Sequence, residues 1–195
     1  GVLTKGYYAY LPAVFIERDL SFGFLEESET IGSNPNLHYD YRVAPEGHVV
    51  NKYWCGTALL EAPFFLIAHA AVKILGGNAD GYGKPYVMAI GLAAIVYALL
   101  GLWAVMQLLH TYDIPQYVQV IVVLVLAFGT HLFYYTIVAP GMSHVYSFAL
   151  VTLFFLAGRR YFILPSARLV LVMGVLLGLI VLVRPVNGFA VLSLL

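Results

Sequence analysis

A carboxylate inside an otherwise apolar stretch is the most informative side chain in this sequence. Glu61 lies one or two turns into residues 57–75, whose uncharged core spans only residues 62–72. Glu61, Phe65, His69 and Lys73 recur at steps of four, so a helix would carry them along one ridge. Charge turned toward lipid is expensive, so that ridge must face protein or a water-filled cavity. Glu61 is then either paired, with Lys73 or His69 as local partners, or functional. Glu17 and Asp19 close an aromatic-rich stretch, residues 1–20, and either solvate its end or accept a proton there. Asp40 is a further acid in the polar segment that follows. Arg184 stands after a long apolar run with Pro185 behind it. Its planar fork matches two phosphate oxygens, although a topological anchor would look the same. His144 follows Pro140, Gly141 and Ser143 at an expected helix start, where Ser143 can cap and the helix end attracts anions. It either binds sugar hydroxyls or phosphate or pairs with a neighbouring helix. His69 and His131 read as interhelical hydrogen-bond partners. The chemistry on offer is proton abstraction by a carboxylate beside anion binding by cations. No His, Asp or Glu spacing makes a metal motif, although Asp80 and His144 could converge on one face.

The elements that must position these groups are membrane helices. Of 195 residues, 62% are apolar and 10% charged, against about 25% charged in an average soluble domain. Residues 85–112 and 114–158 contain no Asp, Glu, Lys or Arg. At roughly 20 apolar residues per crossing, these blocks hold one and two spans. Such unbroken runs exclude an outer-membrane barrel, whose strands alternate. The expected fold class is all-α, a polytopic transmembrane helical bundle with an external first loop carrying interfacial helices. Residues 1–56 form that loop, opening with an amphipathic helix whose Tyr7, Tyr8 and Tyr10 suit the bilayer interface. Residues 57–195 form the membrane region, with spans near 57–75, 86–109, 117–138, 142–157 and 167–183, and another from 186 to 195.

Charge orients the chain. Residues 1–56 hold seven of the ten acids, and the remainder holds six bases against three acids, which argues against a nucleic-acid partner. Arg159, Arg160 and Arg168 place the segment 158–168 in the cytoplasm. Counting back puts residues 139–143 outside, 110–116 inside and 77–85 outside. The acidic loop is then external if 57–75 is re-entrant, which its short uncharged core favours, and cytoplasmic if 57–75 crosses fully. Cys55, the sole cysteine, reads as a small residue at a helix start. The chain opens on Gly1 and stops at Leu195 inside a fresh apolar run, which reads as a piece of a longer protein.

Five stretches carry a family resemblance. They are Gly6-Tyr7-Tyr8-Ala9-Tyr10-Leu11-Pro12; Asn51-Lys52-Tyr53 leading to Ala62-Pro63-Phe64-Phe65; Asp80-Gly81-Tyr82-Gly83; residues 140–148 from Pro140 through His144; and Val183-Arg184-Pro185-Val186-Asn187. In this order they resemble bacterial GT-C membrane glycosyltransferases, the group containing protein O-mannosyltransferases and aminoarabinose transferases. The resemblance implies a multi-pass enzyme of the bacterial inner membrane. Such an enzyme moves a sugar from a polyprenyl-phosphate donor to a glycan, lipid or protein acceptor on the external face. It implies a carboxylate base in the first loop; the candidates for the base are Glu17, Asp19, Asp40 and Glu61. Lys52, Arg184, His144 and Tyr8 are the expected phosphate- and substrate-binding residues. Lys52 and Arg184 are expected to meet on one carrier phosphate. The resemblance fixes no cofactor and leaves a divalent metal open. Leu3 occupies a position where similar proteins often carry Asp. Two other readings therefore stand beside the enzyme: a relative without catalysis, and a transporter or flippase subunit.

Overall fold

The computed structural model describes residues 6–22, 41–43 and 49–194; Leu3, Ser33 and Asp40 lie outside them. The chain forms two compact units, Gly1–Ile90 and Gly91–Leu195. The division falls inside a long helix, not near residue 56 where polar sequence gives way to apolar.

In the first unit, helix α1 covers Gly6–Pro12. Pro12 has no N–H for the carbonyl four residues back, and directly after it the helix widens into a π-helical turn, Ala13–Glu17. Arg18, left-handed at φ 56°, ends the turn. Gly6, Tyr7, Tyr8, Ala9, Leu11 and Pro12 of α1 are buried, and exposure begins in the π-helical turn at Val14 and Phe15. In the polar segment a short antiparallel ladder, absent from the sequence expectation, pairs β1 (Tyr41–Val43) with β2 (Val49–Asn51). Its register sets Tyr41 opposite Asn51.

Helix α2 runs unbroken over Gly56–Ile74. The expected ridge exists: Glu61, Phe65 and His69 are buried, whereas Lys73 is exposed. After α2 the chain doubles back. Gly81 lies against Phe65, nine residues or about 14 Å of helix before Ile74. Helix α3 (Lys84–His110) therefore starts beside the middle of α2, and its first-turn Tyr86 touches Phe65 and His69. Tyr8, Leu11, Ala58, Phe65, Ala68, Val72, Tyr86 and Ile90 form the core. Three fully buried rings, at about 1.5–3 kcal/mol each, outweigh a two-stranded ladder that is marginal alone.

The second unit takes up α3 at Gly91. Helices α4 (Gln116–Phe128), α5 (Leu132–Ile137), α6 (Ser143–Ile163) and α7 (Ala167–Val183) follow, then a 3-10 helix, Pro185–Leu194. The span expected at 117–138 is divided into α4 and α5. Thr130 sustains the break: its Oγ1 donates to Leu126 O at 2.7 Å and accepts from the Leu132 N–H at 3.1 Å. Arg159 and Arg160 lie in the last turns of α6, which runs past the expected end at 157. Beyond α7, the stretch from 186 is a 3-10 rather than an α-helix. Helices α3 and α6 approach closely at Gly101, where a Cβ would lie 2.5 Å from the Phe148 ring and 3.1 Å from Ala149 Cα. A glycine at this point lets the two helix backbones approach closely. Arg159 reaches Thr111 O at 3.3 Å and covers the Tyr112 ring at 4.3 Å, which puts the turn after α3 and the arginine end of α6 together. By length and composition, α2 and α3 can each cross a membrane, and α4 and α7 are shorter apolar helices.

Candidate functional site

Three of the sequence stretches that carry the resemblance meet in the first unit. Asn51 joins two of them: its Nδ2 donates to Gly6 O while its Oδ1 accepts from the Tyr53 N–H at 3.0 Å. The approach is close enough that a Cβ on Gly6 would sit 2.7 Å from Asn51 Oδ1. Tyr7 lies on the Tyr53 ring at 4.3 Å, and Tyr10 donates its hydroxyl to Tyr53 O at 2.7 Å. Lys52 is held here, its Nζ 5.1 Å from the Tyr53 ring centre.

The third stretch docks at the other side of α1. Gly81 adopts φ +86°, a conformation that favours glycine. It faces Ile16, Pro12 and Phe65, and a Cβ there would come within 2.9 Å of Ile16. Asp80 shapes this turn by accepting the Tyr82 N–H and the Asn78 amide, both at 2.8 Å. Tyr8, fully buried, donates its hydroxyl to Gly81 O. The expected substrate role of Tyr8 thus meets a specific fact: its one proton fastens the 78–83 turn to α1. Burial drives the Tyr8 phenol well above its ordinary range, and the phenols of Tyr82 and Tyr86 and the carboxylates of Glu61 and Asp80 add to the effect. Burial also raises the Tyr82 phenol, with Glu17 and Asp80 contributing.

Asp80 thus bears electrostatically on both phenols, Glu61 on Tyr8 and Glu17 on Tyr82. Glu61 is fully buried and Glu17 and Asp80 are exposed; both Asp80 oxygens are engaged in its own turn, so of the three Glu17 is the one best placed to meet an incoming molecule. Asp19 is occupied differently: its Oδ1 accepts the Ser21 N–H at 2.8 Å and the Ser21 hydroxyl, closing the turn after the π-helical segment. Lys52 lies by the Tyr53 ring that packs on Tyr7, and Glu17 ends the π-helical turn that follows α1. His69 is an interhelical hydrogen-bond partner as expected, its Nδ1 lying 2.8 Å from the Tyr86 hydroxyl of α3, although the sequence did not single out Tyr86. The His69 ring also stacks on Phe65 at 5.8 Å. Thr57, one turn before Glu61, is buried with no hydrogen-bond partner for its hydroxyl among the described residues.

His144 and Arg184 belong to the second unit. The His144 ring lies flat on Tyr135, centres 3.8 Å apart and 4° from parallel, with His131 on the far side at 6.5 Å from Tyr135. Met142 rather than Ser143 takes the capping position of α6, and no side-chain cap is made there; Ser143 is buried inside the first turn. Arg184 ends α7, half-buried, its N–H bonded to Ile180 O at 2.9 Å. Among the described residues no group of three His, Cys, Asp or Glu side chains is placed to hold a metal ion. No family model, no curated protein and no solved structure matches the chain.

Proposed function

We propose that this chain belongs to a multi-pass glycosyltransferase of the bacterial inner membrane, using a polyprenyl-phosphate sugar as donor. One observation carries the reading. Residues 6–12, 51–53 and 80–83, far apart in sequence and each part of the resemblance to GT-C enzymes, pack into one site with carboxylates around it. Transfer from a lipid phosphate needs a base for the acceptor hydroxyl, typically contributing about 10²–10⁴-fold, and cations for the leaving phosphate. Glu17 suits the base, being exposed and acting electrostatically on Tyr82 together with Asp80. Glu61, fully buried, does not meet an acceptor and bears on the site through its effect on the Tyr8 phenol. Lys52 supplies charge for the phosphate at the other end of α1. His144 and Arg184 remain sugar- and phosphate-binding proposals on the second unit.

The first loop is external in this reading, and the return of residues 75–81 along α2 supports a segment that does not simply cross and turn. The test is transfer of labelled sugar from a polyprenyl-phosphate donor by membranes containing the full-length protein. A transporter reading is favoured by one feature, the α4–α5 break in an apolar stretch, since transporters break helices at mid-membrane. Labelled donor crossing vesicles without transfer of its sugar would select that reading.

A further inference from the structure

The second unit contains a cavity of about 620 Å³ where α3 ends and α4 begins, within the roughly 300–1,000 Å³ of ligand-sized pockets. Its polar wall is Gln107, His110, Asp113, Gln116 and Gln119, and Met106, Ile114 and Val120 complete it. The wall is braced from several directions. Gln119 donates to Ile114 O at 2.7 Å, Thr111 Oγ1 donates to Leu108 O at 2.7 Å, and Arg159 holds Thr111 O from α6. Asp113 is left-handed at φ 54°, a conformation Asp tolerates better than most residues. The cavity therefore exists before anything enters it, and nothing in the glycosyl-transfer reading uses it.

Its chemistry selects the occupant. Among the described lining residues the one formal charge of fixed sign is the Asp113 carboxylate, and there is no Lys or Arg. Three carboxamides add carbonyl acceptors beside it, each also with N–H donors for ligand oxygens. A primary ammonium carries three donors and no acceptor, so it matches a wall that holds a carboxylate and carboxamide oxygens. The apolar residues suit the carbons next to it. We infer that this cavity binds a small primary amine bearing hydroxyl or ester oxygens, the chemistry shared by an aminophospholipid head group and a free amino alcohol. Its place next to the arginine end of α6 puts it on the cytoplasmic face under the positive-inside rule.

The experiment uses the full-length protein in nanodiscs and reads hydrogen exchange over residues 106–120. Phosphatidylcholine discs are the reference, since a quaternary ammonium has no N–H to donate. Protection in phosphatidylethanolamine discs identifies the lipid as the source. Protection in phosphatidylcholine discs on adding ethanolamine identifies a free amine, and either result supports the site. Asp113→Asn keeps a residue that tolerates the left-handed backbone and should weaken the protecting amine about tenfold or more. Gln107→Leu, away from the strained turn, should weaken it as well. Equal exchange in all conditions overturns the inference. So does protection by glycerol equal to that by ethanolamine, or unchanged amine dependence in Asp113→Asn.

Discussion

Replacing Tyr8 by Phe removes one hydroxyl and keeps the ring that packs at 6.0 Å from Phe65 and 6.2 Å from Tyr82. The Gly81 carbonyl then loses its buried donor, at a cost of about 1–3 kcal/mol. In a chain of this length that lowers the melting temperature by about 2–4 °C per kcal/mol. The pH dependence makes the test sharper. Burial first, then neighbouring phenols and carboxylates, holds the Tyr8 ionisation well above the ordinary 10.0. Above about pH 10 the unfolded chain releases this proton and the folded chain keeps it. The stability Tyr8 contributes is therefore complete below pH 10 and falls as pH rises, by about 1.4 kcal/mol per pH unit. Tyr10 and Tyr82 titrate in both proteins, so the difference isolates Tyr8. Unfolding in detergent micelles, followed by tryptophan fluorescence at pH 8 and pH 11, should show Tyr8→Phe weaker at pH 8. The gap should shrink by about 1.4 kcal/mol at pH 11. Equal stabilities at pH 8, or a gap that stays constant to pH 11, would refute the reasoning.

Other perturbations report on neighbouring parts of the account. Gly6→Ala drives a Cβ to 2.7 Å from Asn51 Oδ1, so it should cost about 1–3 kcal/mol and speed exchange of the Tyr53 amide; unchanged exchange would contradict the Asn51 bridge. Gly101→Val sets a branched side chain against Phe148 and the backbone of Ala149. A loss of about 1–3 kcal/mol in thermal unfolding is expected, and wild-type stability would contradict the close α3–α6 contact. Cys55 is exposed and should react with an impermeant maleimide in intact cells. In a Cys55→Ser background, Ser166→Cys should react only after permeabilisation; the opposite pattern would reverse the topology.

The long helices were legible because apolar length is a local property: α2, α3 and α7 fall close to their expected bounds. The α4–α5 break was not, because Gly129, Thr130 and His131 are uncharged and only a side-chain bond to the backbone marks the stop. The end of α6 was misplaced by reading Arg159 and Arg160 as loop, although arginine is a good helix former. Of the site, Glu61 stood out because a carboxylate in an apolar run needs an explanation. Asn51, Gly81 and Tyr86 did not, since their contacts join residues 45, 73 and 17 positions apart. Asp19 looked equivalent to Glu17 in sequence, and only the turn it closes with Ser21 separates them.

The central claim is that carboxylates gathered at α1 serve sugar transfer from a lipid phosphate. It is tested by measuring labelled sugar released from a polyprenyl-phosphate donor into acceptor, comparing wild-type membranes with Glu17→Gln and Asp19→Asn. The account predicts transfer by the wild type, a loss of about 10²–10⁴-fold in Glu17→Gln, and near-normal transfer in Asp19→Asn at equal protein levels. No transfer by the full-length wild type, or full transfer by Glu17→Gln, would contradict it.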